Sequence, residues 1–251
     1  MRRAAKQIPL FPETEEPDPL SGFSVRESGR AKHLSIKVYP RGRVEVVVPK
    51  RTRARDVQHF VDEHRDWIRT TRQQFANEHP PEPFRLPHRI ELTGIGETYR
   101  VRYEQCAARG NVRFRQGANL VTLSGNTRDI GQCVAALKRW LASVARREFE
   151  PRLRALSRVT GNAFTRMHVR GQKTCWGSHS SSGTISVNYC LLFLDPALVR
   201  YLMVHELCHA KHMNHSRRFW SHVARFEPDY RRLDRRLSDA WKFIPTWVGI
   251  Y

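Results

Sequence analysis

The segment YLMVHELCHAKHMNHSRRFW, residues 201–220, gathers the side chains of this chain that are best suited to metal chemistry. If it is helical, His205 and His209 lie one turn apart on the same face, close enough to bind one ion. Glu206 is rotated by about 100° from His205, so its carboxylate lies beside the ion rather than on it. This pattern favours amide hydrolysis, with zinc activating a water molecule and Glu206 acting as the general base.

A third metal ligand has to come from outside the HExxH motif, and two histidines compete for this place. His215 lies just beyond the expected end of the helix, where the chain can fold back toward His205 and His209. His212 stays on the helix, about 60° around its axis from His209 and two turns from His205. We therefore predict that His205, His209 and His215 bind one Zn²⁺ ion and leave a fourth position open, as in catalytic zinc sites.

The same residues have a second interpretation, a histidine-rich helix that only packs. HExxH specifies three residues in five and occurs by chance in unrelated helices, the more so in a chain with 12 histidines. Three features argue against an accident: the apolar flank at 202–204, a helix start at Asp195 and the histidine at position 215.

The helix that carries the motif should begin at Pro196, because Asp195 can cap free N–H groups and proline suits the first helical position. We expect it to run to about Met213. Asn214 can then adopt the left-handed conformation that ends many helices.

The rest of the chain alternates between strand and helix patterns and contains no internal sequence repeat. Alternating apolar residues around a Pro-Arg-Gly turn predict a β-hairpin over 33–49, and an apolar period of three to four residues predicts helices. Helices are expected at 54–78, at 129–158, after Ser216, and from Pro228 to about Trp241. Strands are expected at 89–93, 99–103, 112–115, 120–123, 164–170 and 183–194.

These elements predict an α+β fold in three parts. Residues 1–22 are rich in Pro and Glu, lack an apolar period and are expected to form a flexible tail. Residues 23–125 are expected to form a small, antiparallel, β-rich N-terminal region with one helix. Residues 126–251 are expected to form the domain that carries the motif.

The chain is strongly basic, with 44 Lys and Arg against 24 Asp and Glu and a net charge of +20. Such a charge attracts polyanions, so nucleic acid is a candidate partner. The charge is spread over many elements, however, and an ordinary solvated surface explains it equally well. The sequence shows no zinc finger or helix-hairpin-helix that would read DNA, and it does not determine the oligomeric state.

The cysteines and the apolar runs indicate a cytoplasmic protein without a membrane span. The five cysteines are scattered and never spaced as CxxC, which is typical of a reducing compartment. No apolar run approaches the roughly 18 residues that a membrane helix needs, and the N-terminus lacks the apolar core of a secretory signal.

From residue 25 to residue 241 the sequence resembles the YgjP-like zinc metallopeptidases, relatives of the SprT-type zincins. The resemblance rests on VHELCHAKHMNHSRRFW, on WGSHSSSGTISVNYCLLFLDP before it and on FEPDYR after it. It implies a zincin-like minimal metallopeptidase domain with an active-site helix, polypeptide substrates, and a zinc site at His205, His209 and His215 with Glu206 as catalytic base. It also implies that the hairpin at 176–194 forms the sheet edge beside the cleft.

Two stretches depart from the family. Where the family commonly has Arg-Trp-Gly-Ser-Cys, this chain reads CWGSH, so Cys175 and His179 replace an arginine and a cysteine. Tyr189 and Cys190 stand where the family favours Trp and Arg. His179 either reaches the metal or the substrate, or is an ordinary polar residue of the hairpin.

An exposed edge strand beside the ion would bind an extended peptide through main-chain hydrogen bonds. Residues 185–189 alternate as such a strand would, although an interior strand can show the same alternation. Tyr189, Tyr230 and His179 are the candidates for stabilising the oxyanion of the transition state.

Three function hypotheses follow. The first is a zinc-dependent peptidase that acts on unstructured protein segments. The second is a nucleic-acid-associated basic protein, which includes a protease that acts on DNA-bound proteins, as SprT relatives do. The third is a family member that keeps the scaffold but has no useful turnover.

Overall fold

A computed structural model describes residues 23–29, 31–39, 44–78, 84–106, 110–172 and 175–248. The tail predicted at 1–22 and the turn predicted at 40–42 lie outside the described residues. The fold is mixed α and β, as predicted, and it divides into two compact units between residues 81 and 82. The boundary that the sequence suggests, after residue 125, falls within the second of these units.

The first unit is built on a three-stranded sheet whose central strand is buried throughout. Strands β1 (Phe23–Glu27), β2 (Ser35–Val38) and β3 (Val44–Val48) lie in the order β1-β3-β2, with β1 parallel and β2 antiparallel to β3. The β2–β3 pairing confirms the predicted hairpin, whereas the sequence pattern did not predict β1. The core of this unit consists of Val44, Val46, Val48, Val57, Val61 and Ile68.

Two helices, α1 (Ala54–Glu63) and α2 (Arg65–Glu78), replace the single helix predicted at 54–78. The break falls at His64, whose ring Nδ1 lies 2.8 Å from the Phe60 carbonyl oxygen. The backbone N–H of His64 donates to the carbonyl of Val61, whereas in a regular α-helix it would donate to that of Phe60. The side chain therefore competes with the helical hydrogen bond at this position.

The second unit begins with a four-stranded sheet. Strands β4 (Arg89–Leu92), β5 (Glu97–Gln105), β6 (Arg113–Gln116) and β7 (Leu120–Gly125) lie in the order β4-β5-β7-β6. β5 and β7 are parallel, and the outer pairings are antiparallel. The four strands predicted from the alternation are confirmed, with β5 longer at both ends.

A long helix, α3 (Ile130–Thr160), connects this sheet to the region of the motif. It begins as predicted, because the Asp129 side chain accepts a hydrogen bond from the Gln132 N–H at 3.0 Å, and it ends at Gly161 in the left-handed conformation with φ 64°. Its apolar face is buried from Cys133 to Leu156 and packs on both sheets of this unit.

A second three-stranded sheet lies next to the motif. Strands β8 (Arg166–Arg170), β9 (Gly177–His179) and β10 (Thr184–Asn188) lie in the order β8-β10-β9, with β10 parallel to β8 and antiparallel to β9. The strand predicted at 183–194 is shorter than expected, since residues from Tyr189 to Phe193 form a 3-10 helix. β10 is thus an interior strand, and β8 and the short β9 are the two edge strands.

Three helices complete the second unit: α4 (Pro196–Cys208), α5 (Arg217–Ala224) and α6 (Tyr230–Ser238). A short 3-10 helix, Ala240–Phe243, follows α6 and carries Trp241, whose indole stacks on that of Trp176 with ring centroids 3.7 Å apart. Trp176 also donates a hydrogen bond from its indole N–H to the Leu237 carbonyl at 2.9 Å. Within the part of the chain that the structure describes, no helix has both the length and the apolarity needed to cross a bilayer.

Candidate active site

Helix α4 holds the HExxH motif against the core, since nine of its 13 residues are buried. It begins where the sequence predicts: the Asp195 carboxylate accepts a hydrogen bond from the Ala197 N–H at 2.8 Å, and Pro196 occupies the first turn. Asp195 also pairs with Arg236 of α6 at 2.8 Å. The start of the motif helix is therefore fixed both by its own cap and by a neighbouring helix.

The end of α4 differs from the prediction. The helix stops at Cys208 instead of about Met213, and the described residues include no left-handed conformation at Asn214. His209 explains the early end, because its ring Nδ1 donates a hydrogen bond to the His212 carbonyl at 2.9 Å and stabilises a turn at that point. This turn directs the chain back toward the helix before residue 215.

The structure brings His205, His209 and His215 together. One ring nitrogen from each lies within 4.8 Å of the other two, and the Nε2 atoms of His205 and His215 are 2.9 Å apart. The ring centroids of His209 and His215 are 4.7 Å apart, with the planes nearly perpendicular. His212 is not part of this cluster, and its ring packs against His222 at a centroid distance of 5.8 Å.

Two of the three rings are oriented by hydrogen bonds on their far side. The Nδ1 of His205 lies 3.5 Å from the Tyr201 hydroxyl, which in turn donates to Asp234 at 2.8 Å. The Nδ1 of His209 donates to the His212 carbonyl. Both arrangements leave the Nε2 lone pair free for a ligand, and such outer partners are a regular feature of metal-binding histidines.

The surroundings keep the imidazoles of His205 and His209 neutral. Burial, followed by the proximity of His209 and His215, lowers the pKa of His205 to about 3. Burial likewise lowers the pKa of His209. A neutral imidazole is the form that binds a metal ion, so at neutral pH these two rings need not lose a proton first.

Glu206 is almost entirely buried and lies against the edge strand. A Cβ atom placed on Gly177 of β9 would be 2.8 Å from the Glu206 Oε1, so the carboxylate occupies the space that any larger side chain at 177 would need. Burial raises the pKa of Glu206 to about 8 in the absence of a bound cation, and a cation at the three histidines would oppose this shift.

His179 connects the same strand to the end of the helix. Its ring Nδ1 donates a hydrogen bond to the main-chain carbonyl of Glu206. This carbonyl belongs to the last turn of α4 and also accepts a hydrogen bond from the His209 N–H at 3.2 Å. The bond from His179 thus joins β9 to the residue that carries the candidate base.

Aromatic rings of α5 enclose the histidine cluster on one side. Phe219 is fully buried and stacks on the His209 ring with centroids 4.5 Å apart. Trp220 packs at 5.7 Å from the His205 ring and 5.6 Å from the His215 ring. Tyr230 then stacks on Trp220 at 5.1 Å. Low-dielectric surroundings of this kind strengthen the electrostatic interactions of a bound ion.

The three candidates for oxyanion stabilisation have different surroundings. Tyr189 is buried in the 3-10 helix and packs against Gly171, which leaves no space there for a side chain. Burial raises its pKa to about 12. Tyr230 lies on Trp220, and His179 contacts the end of α4. His179 thus contacts the candidate site directly, whereas Tyr230 is connected to it through the ring of Trp220.

Several residues that shape the site were not singled out from the sequence. Tyr201 precedes His205 by four residues, so helical spacing could have indicated its contact. Asp234, Gly177 and Trp220 approach the site only through tertiary packing, and no local pattern marks them.

The cluster also passes a simple test of fit for a metal ion. Two nitrogens bound to one tetrahedral ion at about 2.1 Å would lie about 3.4 Å apart, which is within the spacing that the three rings span. Imidazole nitrogens suit several divalent transition metals. Three imidazole nitrogens with a buried carboxylate beside them form a donor set that suits a metal-dependent hydrolase.

Residues 32–240 match the model of the YgjP-like family, which is described as a metallopeptidase domain. The chain therefore belongs to the YgjP-like metallopeptidase family, and it is a hydrolase. A comparison with curated proteins finds no match. Among solved structures, the metallopeptidase zymogen of Pyrococcus abyssi abylysin aligns at 24% identity over 37% of this chain and 95% of that one, with a TM-score of 0.33.

Proposed function

We propose that this chain is a zinc-dependent peptidase that hydrolyses peptide bonds in unstructured polypeptide segments. His205, His209 and His215 would hold one zinc ion, and Glu206 is the general base. The observation that supports this most directly is the convergence of three imidazole nitrogens within 4.8 Å, with the buried carboxylate of Glu206 on the same helical turn.

The residues divide the chemistry between them. When bound, zinc polarises the scissile carbonyl and lowers the pKa of water. Glu206 accepts a proton from the attacking water and passes it to the leaving amine nitrogen.

The substrate would bind along β9. β9 is an edge strand of its sheet, so one side of its main chain has no partner strand within the described residues. An extended polypeptide can add to such an edge through main-chain hydrogen bonds. Because Gly177 contacts Glu206 and His179 contacts the end of α4, a peptide on β9 would lie next to the base.

Replacing Glu206 by Gln tests this proposal. Glu206→Gln should retain zinc, measured by elemental analysis of the purified protein, and should lower cleavage of an unfolded protein by at least ~100-fold. Glu104→Gln is the matched control, because Glu104 is exposed on β5, and it should cleave at the wild-type rate. Undiminished cleavage by Glu206→Gln would rule out the assigned base.

A scaffold without turnover gives a different result in the same experiment. Wild-type protein that holds zinc and cleaves no unfolded substrate would support that third hypothesis. Binding of nucleic acid stays a prediction from the net charge of +20. A steep fall of DNA affinity with rising salt would support it.

A further inference from the structure

A basic groove of about 760 Å³ opens beside the histidine cluster, between α5 and the start of α6. Its lining includes the arginines Arg217, Arg231, Arg232 and Arg235 and the aromatic residues Trp220 and Tyr230. The volume is within the usual range for a ligand site. Four of the ten lining residues are arginines, whereas Asp229 is the one acidic residue.

The four guanidinium groups are exposed and only partly neutralised. Arg232 pairs with Asp229 at 3.0 Å, and the Arg231 Nε donates to the Tyr230 hydroxyl at 3.2 Å. Arg217 and Arg235 form no ion pair with any residue that the structure describes. At least two positive charges in the groove are thus available to an anionic ligand.

The groove and the candidate active site share the side chain of Trp220. Trp220 forms part of the groove wall and also packs on the rings of His205 and His215. Tyr230 stacks on Trp220 with an interplanar angle of 16°, so a pair of stacked rings forms an apolar part of the groove wall. A chain whose scissile bond lies at the histidines can therefore extend into the groove within a few residues.

We propose that this groove is a specificity site for acidic side chains of the polypeptide substrate, close to the scissile bond. The proposal rests on the proposed peptidase function. Guanidinium groups bind carboxylates through paired, charge-assisted hydrogen bonds, and the stacked pair of Trp220 and Tyr230 offers apolar surface to the aliphatic part of glutamate. The groove thus prefers substrates with Asp or Glu on one side of the cleaved bond.

Polypeptide is favoured over nucleic acid for two reasons. The chain belongs to a metallopeptidase family, so the adjoining site acts on peptide bonds. The two aromatic rings also lie face to face with each other, which occupies one face of each ring and leaves less surface for stacking of bases.

A binding experiment separates this proposal from turnover. Full-length Glu206→Gln protein is titrated against a labelled flexible peptide with a run of glutamates, and against the same peptide with glutamines. The acidic peptide should bind about tenfold more tightly at low salt, since each exposed charge pair adds a small amount, and the difference should shrink as salt screens it. Adding Arg217→Gln and Arg235→Gln should abolish the difference.

The matched control replaces Arg113 and Arg115, which are exposed on the edge strand β6 and do not line the groove. Arg113→Gln with Arg115→Gln should keep the preference. The proposal is overturned if the control variant loses the preference for the acidic peptide as the groove variant does. It is also overturned if the parent Glu206→Gln protein binds both peptides equally. Single-stranded DNA that displaces the acidic peptide, and that needs Arg217 and Arg235 more than the peptide does, also overturns it in favour of a nucleic-acid site.

The failure of the peptidase function would look different. In that case wild-type protein fails to cleave either peptide while the groove variant still loses its preference in binding. If instead the wild type cleaves both peptides at the same rate and the groove variant behaves like the wild type, the peptidase stands and the acidic site does not.

Discussion

The sheet of the first unit and the sheet beside the candidate active site have the same topology but different surroundings. In each, the third strand is central, parallel to the first and antiparallel to the second, and a helix follows it. Strands β5 to β7, followed by α3, repeat this arrangement. Among the described residues, only the copy that ends in α4 carries a group of potential metal ligands.

The difference lies in the helix and in the edge strand. The buried residues of α1 are valines, Val57 and Val61, and they pack in an apolar core. The last turn of α4 instead carries histidines and a buried glutamate, and β9 has a glycine where the glutamate needs space. In both sheets a helix follows the central strand. The side chains on that helix determine whether it contributes to an apolar core or to a candidate active site.

The largest expected effect follows from removing the third histidine. His215→Ala should weaken zinc binding by more than ~100-fold and abolish hydrolysis, because two imidazoles alone leave the ion poorly held. Competition with a chelating dye measures the affinity. His212→Ala is the control and should retain zinc, since His212 contributes its main-chain carbonyl and not its ring. The opposite ranking of the two variants would assign the third ligand to His212.

The next effect tests the space at the edge strand. Gly177→Ala should lower kcat by about 100-fold. The new Cβ would lie 2.8 Å from the Glu206 Oε1 and would displace the carboxylate, and small displacements of a catalytic group slow the reaction strongly. Zinc affinity should remain close to that of the wild type. Gly117→Ala, in a turn with space for a methyl group, should leave hydrolysis unchanged. Full activity of Gly177→Ala would show that Glu206 does not need this close contact.

A smaller effect distinguishes how His179 acts. The amide nitrogen of Asn can take the place of the imidazole Nδ1, whereas that of Gln takes the place of Nε2. If His179 positions the end of α4 through its Nδ1, His179→Asn should keep most of the activity and His179→Gln should lose about tenfold in kcat with little change in KM. The reverse result, an active Gln variant and an inactive Asn variant, would indicate a direct role for Nε2.

The smallest effect on activity is expected in the first unit. Val46 and Val187 occupy the central strands of the two sheets and are fully buried, so replacing either by Ala should lower the free energy of unfolding by about 2 kcal/mol. Only Val187→Ala should also slow hydrolysis, because Val187 lies opposite Gly177 in the register of the sheet. Denaturant titration and steady-state rates check both. Slower hydrolysis by Val46→Ala would link the first unit to catalysis.

Much of the architecture follows from local signals. The aspartate cap at Asp195 predicts the start of α4, since a cap acts within a few residues, and the apolar period predicts α3. The alternating pattern around the Pro-Arg-Gly turn predicts the β2–β3 pair for the same reason. The HExxH spacing identifies two of the three histidines that the structure groups together, because helical geometry alone relates His205 to His209.

What the sequence did not predict depends on distant contacts. β10 is an interior strand because β8, which precedes it by more than a dozen residues, pairs along its other side. The early end of α4 results from the hydrogen bond between the His209 ring and the His212 carbonyl. The helix propensities of these residues do not predict such a bond. The environment of Glu206 is set by Gly177, which belongs to another strand.

The stacked indoles of Trp176 and Trp241 are a further contact between residues distant in the sequence, and they connect the candidate site to the C-terminal part of the chain. Trp176 directly precedes Gly177, and its N–H is bonded to the carbonyl of Leu237 at the end of α6. The start of the edge strand β9 is therefore fixed by contacts with the end of α6 and with the 3-10 helix that follows it. Indoles this close interact electronically, so near-ultraviolet circular dichroism of the pair offers an optical signal for the position of the strand before any substrate is added.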